Sequence, residues 1–426
     1  MLPVEQRVGF LELNRKQGLI LLAVFFGWAL DAYASGLISF SLTPMARELK
    51  LGTADTSVML VAWPAGMLVG AMLLGYLADY LGRKPVIIGA LGLMGVFGGL
   101  AAFVSSTPEI LVLRFLGGMG ASAYMAVGST LLTEYMPAKQ RGRAVAIAES
   151  SWSVGWLIAS LVSFLVVPQM GWRVSMASSF SALLAIPVAL VLVPESAMFL
   201  DSKGKGDLSR KLRDEYGLTE IGQKQTAKVR ISDLFGSKYR KATSVLWVHW
   251  FAIALAYWGT FLWLPSLLQT RGLSLTSSLF NSILITLAQI PGYVSGALLI
   301  EKTGRKITLS VYMGGAGLAS YMLAHAVTQQ DAMLWAALFS FFNLGAWGVT
   351  YAYTPELYPT AIRATGAGWA NAVGRVGSIV GPYFLGLLLS YGNQETAFLA
   401  FSVVQLISAA VIIVAARETM GKDLET

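Results

Sequence analysis

The 426-residue sequence contains no cysteine, two histidines and few charged residues. Without cysteine it can form no disulfide and no thiolate metal site. Neither His249 nor His325 has a partner at metal-ligand spacing, so we expect no metal. The pattern GxxxxGK[ST], which binds nucleotide phosphates, has no match. These absences argue against an ATP-driven pump and against an enzyme, and we expect no cofactor.

Long apolar runs take the place of the missing charge: 55% of the residues are hydrophobic and 13% are charged, against about 25% charged in a soluble domain. A helix needs ~20 apolar residues to cross the hydrocarbon core of a bilayer, and backbone groups in lipid must be hydrogen-bonded internally. We therefore predict an all-α membrane protein with twelve transmembrane helices. They lie near residues 17–44, 54–78, 85–104, 108–135, 140–167, 172–193, 243–270, 275–300, 306–327, 331–355, 361–390 and 394–416.

Two short sequence motifs, which we call the repeated words, each occur twice with the same spacing between the copies. DYLGRK begins at Asp79 and EKTGRK at Glu301, 222 residues later, and EYMPAKQR from Glu134 recurs as ELYPTAIR from Glu356 at the same spacing. Two unrelated words that share one offset indicate a duplicated half. The sequence therefore predicts two six-helix bundles, which we call the N-terminal half (residues 1–194) and the C-terminal half (241–426), joined by a linker (195–240).

Lysine and arginine are unevenly distributed between the loops. If the N-terminus is cytoplasmic, 25 of the 31 basic residues fall in cytoplasmic segments. This bias predicts a multi-pass protein of the cell membrane with both termini in the cytoplasm. It also accounts for the net charge of +8, so no nucleic-acid partner is expected. Eleven of the basic residues lie in and beside the linker, where either an amphipathic helix on the inner leaflet or a solvated segment fits.

The repeated words resemble the signature loops of the major facilitator superfamily, and PESAMFLDSKGK and RETMGKDLE resemble motifs of its sugar-porter-like branch. The resemblance spans the chain and implies the major facilitator fold and transport by alternating access. In that family, charges of these loops form ion pairs between the halves that close the inner gate. Carried over, gating falls on Asp79, Arg83, Glu134, Arg141, Glu195, Glu301, Arg305, Glu356 and Arg363.

Ionisable residues inside the predicted helices are few, and each is costly in a membrane. Asp31 and Arg114 resemble the coupling acid of the first helix and its countercharge, but Ala34 replaces a second acid that relatives often carry. Glu149 stands where sugar porters have a glutamine that hydrogen-bonds the sugar. We assign proton coupling to Asp31, Arg114 and Glu149, with Asp31 as the expected carrier and Glu149 beside the substrate.

Three stretches resemble bacterial niacin permeases and related metabolite:proton symporters: RGRAVAIAESSWSVGW, AQIPGYVSGALLIEKTGRK and YTPELYPTAIRATGAGWANAVGRVGSIVGP. GRVGSIVGP also resembles a helix 11 motif of organic anion transporters, which implies that Arg375 binds an anion. Its planar donor fork suits a carboxylate, and aromatic side chains can stack a flat ring beside it. Besides Arg375 and Glu149, the expected substrate contacts are Trp152, Tyr124, Gln289, Asn281, Asn343, Trp258 and Trp347, with Trp156 and Trp369 as further aromatic candidates.

These residues predict a monomeric secondary transporter, proton-coupled, for a small organic anion such as nicotinate or another aromatic monocarboxylate. Symport and facilitated diffusion both fit the sequence. A sugar or organic-cation carrier is the alternative, and a non-transporting receptor on the same fold is a further one. The expected partners are the small-molecule substrate, protons and the lipid bilayer.

Overall fold

The computed structural model describes residues 13–137, 140–218, 231–359 and 362–421, which are helical with short connections and contain no strand. In the N-terminal half the helices are α1 (Arg15–Glu48), α2 (Thr53–Leu81), α3 (Arg83–Leu100), α4 (Thr107–Tyr135), α5 (Arg141–Met170), α6 (Trp172–Ala177) and α7 (Ala185–Leu192). The linker contains α8 (Ala197–Ser202) and α9 (Gly206–Tyr216). In the C-terminal half they are α10 (Arg240–Thr270), α11 (Leu275–Leu287), α12 (Gln289–Thr303), α13 (Arg305–Ala324), α14 (Gln329–Glu356), α15 (Arg363–Ser390) and α16 (Gln394–Ala415).

Twelve segments of the described chain are long and apolar enough to cross a membrane, which confirms the predicted helices. Each predicted boundary lies within about four residues of the observed one. The sixth span consists of α6, a 3₁₀ segment at Ser178–Leu184 and α7. The eighth consists of α11 and α12, which meet at Ala288. The chain is therefore a multi-pass membrane protein.

Close helix crossings repeat at the spacing of the repeated words. A Cβ atom on Gly70 would lie 2.2 Å from the Met119 carbonyl oxygen, and one on Gly292 would lie 2.3 Å from that of Phe341, 222 residues further along in each case. Small residues let membrane helices approach this closely. The duplication read from the loops therefore extends to the packing of α2 on α4 and of α12 on α14.

The halves meet at the ends of α1 and α10 that lie away from the chain termini. Ser39 Oγ donates to the Phe261 carbonyl oxygen at 2.8 Å, and these two positions are themselves 222 residues apart. Nearer the helix ends, the Thr43 and Ser266 hydroxyls lie 3.1 Å apart, and Gln269 donates to Thr43 at 3.1 Å. Equivalent turns of the two halves therefore face each other and close this end of the bundle.

The linker helices dock on the N-terminal half. The side chains of Asn14 and Gln17 both donate to the carbonyl oxygen of Tyr216 at the end of α9, at 3.0 and 3.2 Å. The ring of Tyr216 also contacts that of Tyr135 at the end of α4, with 4.9 Å between centroids. A short helix therefore forms in the linker, as one of the two interpretations expected; residues 219–230 lie outside the described residues. The division into 1–194, 195–240 and 241–426 remains a prediction.

Candidate functional site

Arg375 on α15 reaches from the C-terminal half to the N-terminal half. Its two terminal nitrogens lie 3.4 Å from Met67 Sδ on α2 and 3.6 Å from Met125 Sδ on α4. Thioether sulfur is a weak hydrogen-bond acceptor. Within the described part of the chain, no carboxylate lies within 4.0 Å of this guanidinium. A permanent positive charge is therefore held at the interface of the halves by weak contacts alone.

Aromatic side chains form the wall beside this charge. The rings of Trp347 and Tyr351 on α14 are stacked, with 5.9 Å between centroids and 27° between planes. Trp250 packs edge-on against both of them, at 5.4 and 5.1 Å. The cavity at Arg375 is lined by Trp250, Ala254, Trp258, Trp347, Tyr351, Asn371, Gly374 and Ser378. A cation beside a wall of indoles suits a flat aromatic anion.

Two buried acids lie close to Arg375. Asp31 on α1 is fully buried, and neither of its carboxylate oxygens has a hydrogen-bond partner in the described residues. Glu149 on α5 is 6% exposed and faces the hydroxyl of Tyr351 across the interface. Arg375 is the charged group that acts most strongly on both carboxylates. One arginine therefore acts electrostatically on two acids of the other half without a direct ion pair to either in the described residues.

Arg114 is arranged differently from the ion pair that the sequence suggested. It is fully buried on α4 and donates to the carbonyl oxygens of Ala34 at 2.9 Å and Ser35 at 3.3 Å. Its guanidinium also lies over the ring of Trp63, 4.3 Å from the centroid. Its charge acts on Asp31 less strongly than that of Arg375. Arg114 therefore holds α1 against α4 through backbone contacts, and its role beside Asp31 in proton coupling remains a prediction.

Five of the other predicted substrate contacts lie at the cavity or are buried in the C-terminal half. Trp258 and Trp347 line the cavity. Trp152 packs on Trp258 with 5.6 Å between ring centroids, and its indole N–H donates to the Tyr257 hydroxyl at 2.7 Å across the interface. Gln289 and Asn343 are fully buried in the C-terminal half.

The remaining predicted contacts lie elsewhere. Tyr124 packs on Gly27 and donates to the Ala23 carbonyl oxygen at 2.9 Å, so it joins α4 to α1. Asn281 lines a separate pocket with Phe164 and Phe280. Of the further aromatic candidates, Trp156 packs within the bundle against Phe40, Tyr257 and Phe261, whereas Trp369 is 42% exposed.

Several cavity residues were not predicted. Tyr351 follows Trp347 by four residues on α14, and Asn371 precedes Arg375 by four on α15. Residues four apart share a face of a helix, so that spacing was a usable signal for both. Met67 and Met125 had no such signal, because they lie in the other half and apolar residues fill both helices around them.

The repeated loops carry matching charge clusters at the end of the bundle that holds the termini. Gly82 and Gly304 take positive φ values of 104° and 84°, as expected for the tight turn of each repeated word. Arg83 Nη1 lies 2.7 Å from Asp79 Oδ1. Arg305 forms a bidentate pair with Glu356, at 3.0 and 3.1 Å. Each of these two ion pairs joins residues of the same half in this state: Arg83 and Asp79 in the N-terminal half, Arg305 and Glu356 in the C-terminal half. The resemblance implied ion pairs between the halves.

A carboxylate caps the helix after each of these turns. Glu195 Oε1 accepts from the Arg83 backbone N–H at 2.6 Å, and Glu418 accepts from the N–H groups of Arg305 and Lys306, both at 3.0 Å. Partial burial raises the pKa of Glu418, but its backbone hydrogen bonds outweigh that effect and hold the pKa below its ordinary value. Glu418 was not among the predicted gate residues, although it lies in the quoted motif RETMGKDLE.

The second repeated word also forms the same local structure twice. Arg141 Nε donates to the Met136 carbonyl oxygen at 3.2 Å, and Arg363 Nε donates to that of Tyr358 at 3.2 Å. Glu134 is buried at the end of α4, and Glu301 is exposed at the end of α12. The structure therefore places all the predicted gate residues at one end of the bundle, and their gating roles remain predictions.

We expect Arg305→Ala and Arg83→Ala to slow substrate exchange across the membrane while substrate affinity changes less than about threefold. The reason is that these arginines lie at the bundle end, where they set the balance between states and do not touch the cavity. Counterflow in proteoliposomes measures the first quantity and equilibrium binding in detergent the second. Lys302→Ala, an exposed charge in the same loop, is the control; unchanged exchange in both arginine variants would contradict the gating role.

The fold and the site define a membrane carrier of two duplicated halves, with a cavity that residues of the C-terminal half line and whose Arg375 reaches the N-terminal half. Residues 24–351 match the Major Facilitator Superfamily, and the chain belongs to this superfamily. It is a secondary transporter of small molecules and not an enzyme.

The chain is 36% identical to the niacin transporter NiaP of Acinetobacter baylyi, over 99% of this chain and 98% of the relative. It is 38% identical to the putative niacin/nicotinamide transporter NiaP of Bacillus subtilis, over 94% and 96%. Among solved structures, the xylose transporter XylE from E. coli, in a partially occluded inward open conformation, is similar with a TM-score of 0.77 and 18% identity. That match covers 96% of this chain and 100% of the solved one, and it shows the fold.

Proposed function

We propose that this transporter carries nicotinate or a related aromatic monocarboxylate into the cell together with protons. The observation that carries the proposal is Arg375, a permanent cation at the interface of the halves whose terminal nitrogens have methionine sulfur as their only hydrogen-bond acceptors among the described residues. A carboxylate satisfies such a guanidinium far better than a thioether, through two charge-assisted hydrogen bonds. The indoles of Trp258 and Trp347 line the same cavity and provide faces for an aromatic ring.

Proton coupling follows from competition for this one arginine. Without substrate, Arg375 is the strongest countercharge for both Asp31 and Glu149. When a substrate carboxylate pairs with Arg375, the two acids lose part of that compensation. Several bare negative charges in a site of low dielectric repel one another, so proton uptake by the acids accompanies anion binding. Asp31, which is fully buried and whose carboxylate oxygens have no hydrogen-bond partner within the described residues, is the acid we assign as proton carrier, and Glu149 borders the substrate.

Alternating access fits the contacts between the halves. At the end of the bundle away from the termini, the two halves are held together by neutral contacts such as the hydrogen bond from Ser39 to Phe261. The gate charges at the other end pair within their own halves. We propose that both termini lie in the cytoplasm, so this state faces inward, and that re-pairing of the gate charges between the halves accompanies closure of that end.

The names of the relatives support the substrate class. Both proteins named NiaP align along almost the whole chain. Niacin is an aromatic acid with one carboxylate, which matches one arginine and an aromatic wall. The likeness to a xylose transporter rests on 18% identity and extends to the fold alone, so it adds no support for a sugar.

The test is uptake of labelled nicotinate by purified protein in proteoliposomes with an imposed pH gradient. We expect accumulation above equilibrium when the outside is acidic, and its collapse on addition of a protonophore. Equilibration without accumulation would show a facilitator and refute coupling. Absence of counterflow with every aromatic acid tested would refute the substrate class.

A further inference from the structure

Polar groups without partners lie in the C-terminal half next to the aromatic cavity. Asn343 on α14 is fully buried, and neither its amide nitrogen nor its amide oxygen has a hydrogen-bond partner within the described residues. The indole N–H of Trp347 is also buried and unpaired in that part of the chain. Buried polar groups in folded proteins are almost always hydrogen-bonded, and leaving one unpaired is costly. Two such donors side by side indicate a binding function.

One of the two donors, Trp347, lines the cavity, and Asn343 lies one turn before it on the same helix. Asn343, Trp347 and Tyr351 follow one another at intervals of four residues, so they form a row along one face of α14. Successive members are ~6 Å apart along the helix axis. Trp347 and Tyr351 line the cavity with Arg375. The row therefore extends from the cavity at Arg375 to the buried amide of Asn343, which lies one helical turn before Trp347.

Two other indole donors around the cavity, those of Trp250 and Trp152, are already used. The N–H of Trp250 donates to the Thr354 hydroxyl at 3.0 Å, and that of Trp152 donates to the Tyr257 hydroxyl at 2.7 Å. Trp347 lines the same cavity as Trp250, but its N–H has no partner in the described residues. Trp347 and Asn343 thus leave donor capacity open beside the cavity.

We propose that Asn343 and Trp347 form a donor subsite for the ring heteroatom of a heteroaromatic carboxylate. This inference rests on the proposed function and adds to it the feature that selects among aromatic acids. With the carboxylate on Arg375, a pyridine ring places an acceptor lone pair in the ring plane, on the side away from the carboxylate. Benzoate has a C–H group at that position and leaves both donors unpaired. A site built to hydrogen-bond one ligand discriminates against an analogue that lacks the partner.

The wild-type protein should therefore bind nicotinate at least roughly tenfold more tightly than benzoate, the ratio expected from one lost hydrogen bond at a buried donor. Picolinate and isonicotinate, in which the ring nitrogen is moved, should bind more weakly than nicotinate. Competition with labelled nicotinate on purified protein gives these affinities without transport. Equal affinity for nicotinate and benzoate would overturn the subsite and leave the proposed transport of aromatic acids standing.

Two substitutions locate the donors. Trp347→Phe keeps an aromatic ring and removes the N–H, and Asn343→Leu removes the amide at similar volume. We expect at least one of them to lower the ratio of nicotinate to benzoate affinity to near one, with benzoate affinity changed by less than about threefold. Trp247→Phe removes an indole N–H that is likewise buried and unpaired in the described residues but does not line the cavity, so it is the matched control and should keep the wild-type ratio.

Other outcomes have separate meanings. If both variants weaken nicotinate and benzoate alike, or leave the ratio unchanged, the residues act in packing and the subsite is refuted. If one variant does not fold, the other variant and the affinities of the wild-type protein for the ring isomers still test whether the donor subsite exists. If the wild-type protein binds neither acid, the proposed function itself fails.

Discussion

Asp31→Asn is expected to reduce nicotinate uptake driven by a pH gradient to the level of protein-free liposomes, while counterflow of the same substrate persists. Asparagine keeps the size and polarity of the side chain but cannot release a proton. Asp31 is fully buried on α1 with both carboxylate oxygens unpaired in the described residues, so the substitution breaks no hydrogen bond seen there. Both activities are measured in one proteoliposome preparation, which separates coupling from substrate exchange.

Glu149→Gln is the matched comparison, because Glu149 is the other buried acid on which Arg375 acts. We expect gradient-driven uptake to survive in this variant and substrate affinity and its pH dependence to change. If Glu149→Gln uncouples uptake while Asp31→Asn remains gradient-driven, the two roles are reversed. If both variants remain coupled, neither acid carries the proton and the mechanism is refuted.

Arg375→Lys is expected to weaken binding of nicotinate by roughly 10- to 100-fold, the range that corresponds to ~1.5–3 kcal/mol for hydrogen bonds to a charged group. Lysine keeps the positive charge but loses the planar fork that engages both carboxylate oxygens. Nicotinamide has the same ring and no charge, so its binding should change less than about threefold. The measurement is the Kd of each ligand by competition on purified protein.

Arg271→Lys is the control for this substitution. Arg271 lies at the end of α10 and donates to the carbonyl oxygens of Ala326 and Leu323, at 2.8 and 3.2 Å. It belongs to the same half as Arg375 but not to the cavity, so both ligands should bind as in the wild type. Equal loss of nicotinate and nicotinamide binding in Arg375→Lys would mean that Arg375 supports the structure and does not bind the carboxylate.

Helix number, helix limits and the internal duplication could be predicted from the sequence because each depends on local chemistry. A run of ~20 apolar residues must be helical in a bilayer wherever the rest of the chain lies. The turns at Gly82 and Gly304 were equally local, and their positive φ values match the repeated words. The same 222-residue spacing then recurs in contacts that no local word could reveal, such as Ser39 to Phe261.

The cavity could be predicted only in part. Arg375, Trp258 and Trp347 were identified because a charge or an indole in a membrane helix is conspicuous, and all three lie together. Tyr124 was identified as an aromatic residue and Asn281 as an uncharged amide in a membrane helix, yet one packs α4 on α1 and the other lines a different pocket. Membrane helices are apolar on the lipid side and on the packed side alike, so their hydrophobic pattern does not show which face lines a cavity.

By itself, then, the sequence determined the twelve spans, the duplicated halves, the tight turns and the short inventory of charges inside the membrane. Only the tertiary structure decided how those charges are shared. Arg114 is bound to backbone carbonyls of α1, whereas Arg375, which lies 344 residues after Asp31 in the other half, is the stronger countercharge for that acid. Such pairing depends on how the two halves meet, and the contact between them leaves no periodic signal in the sequence of either half.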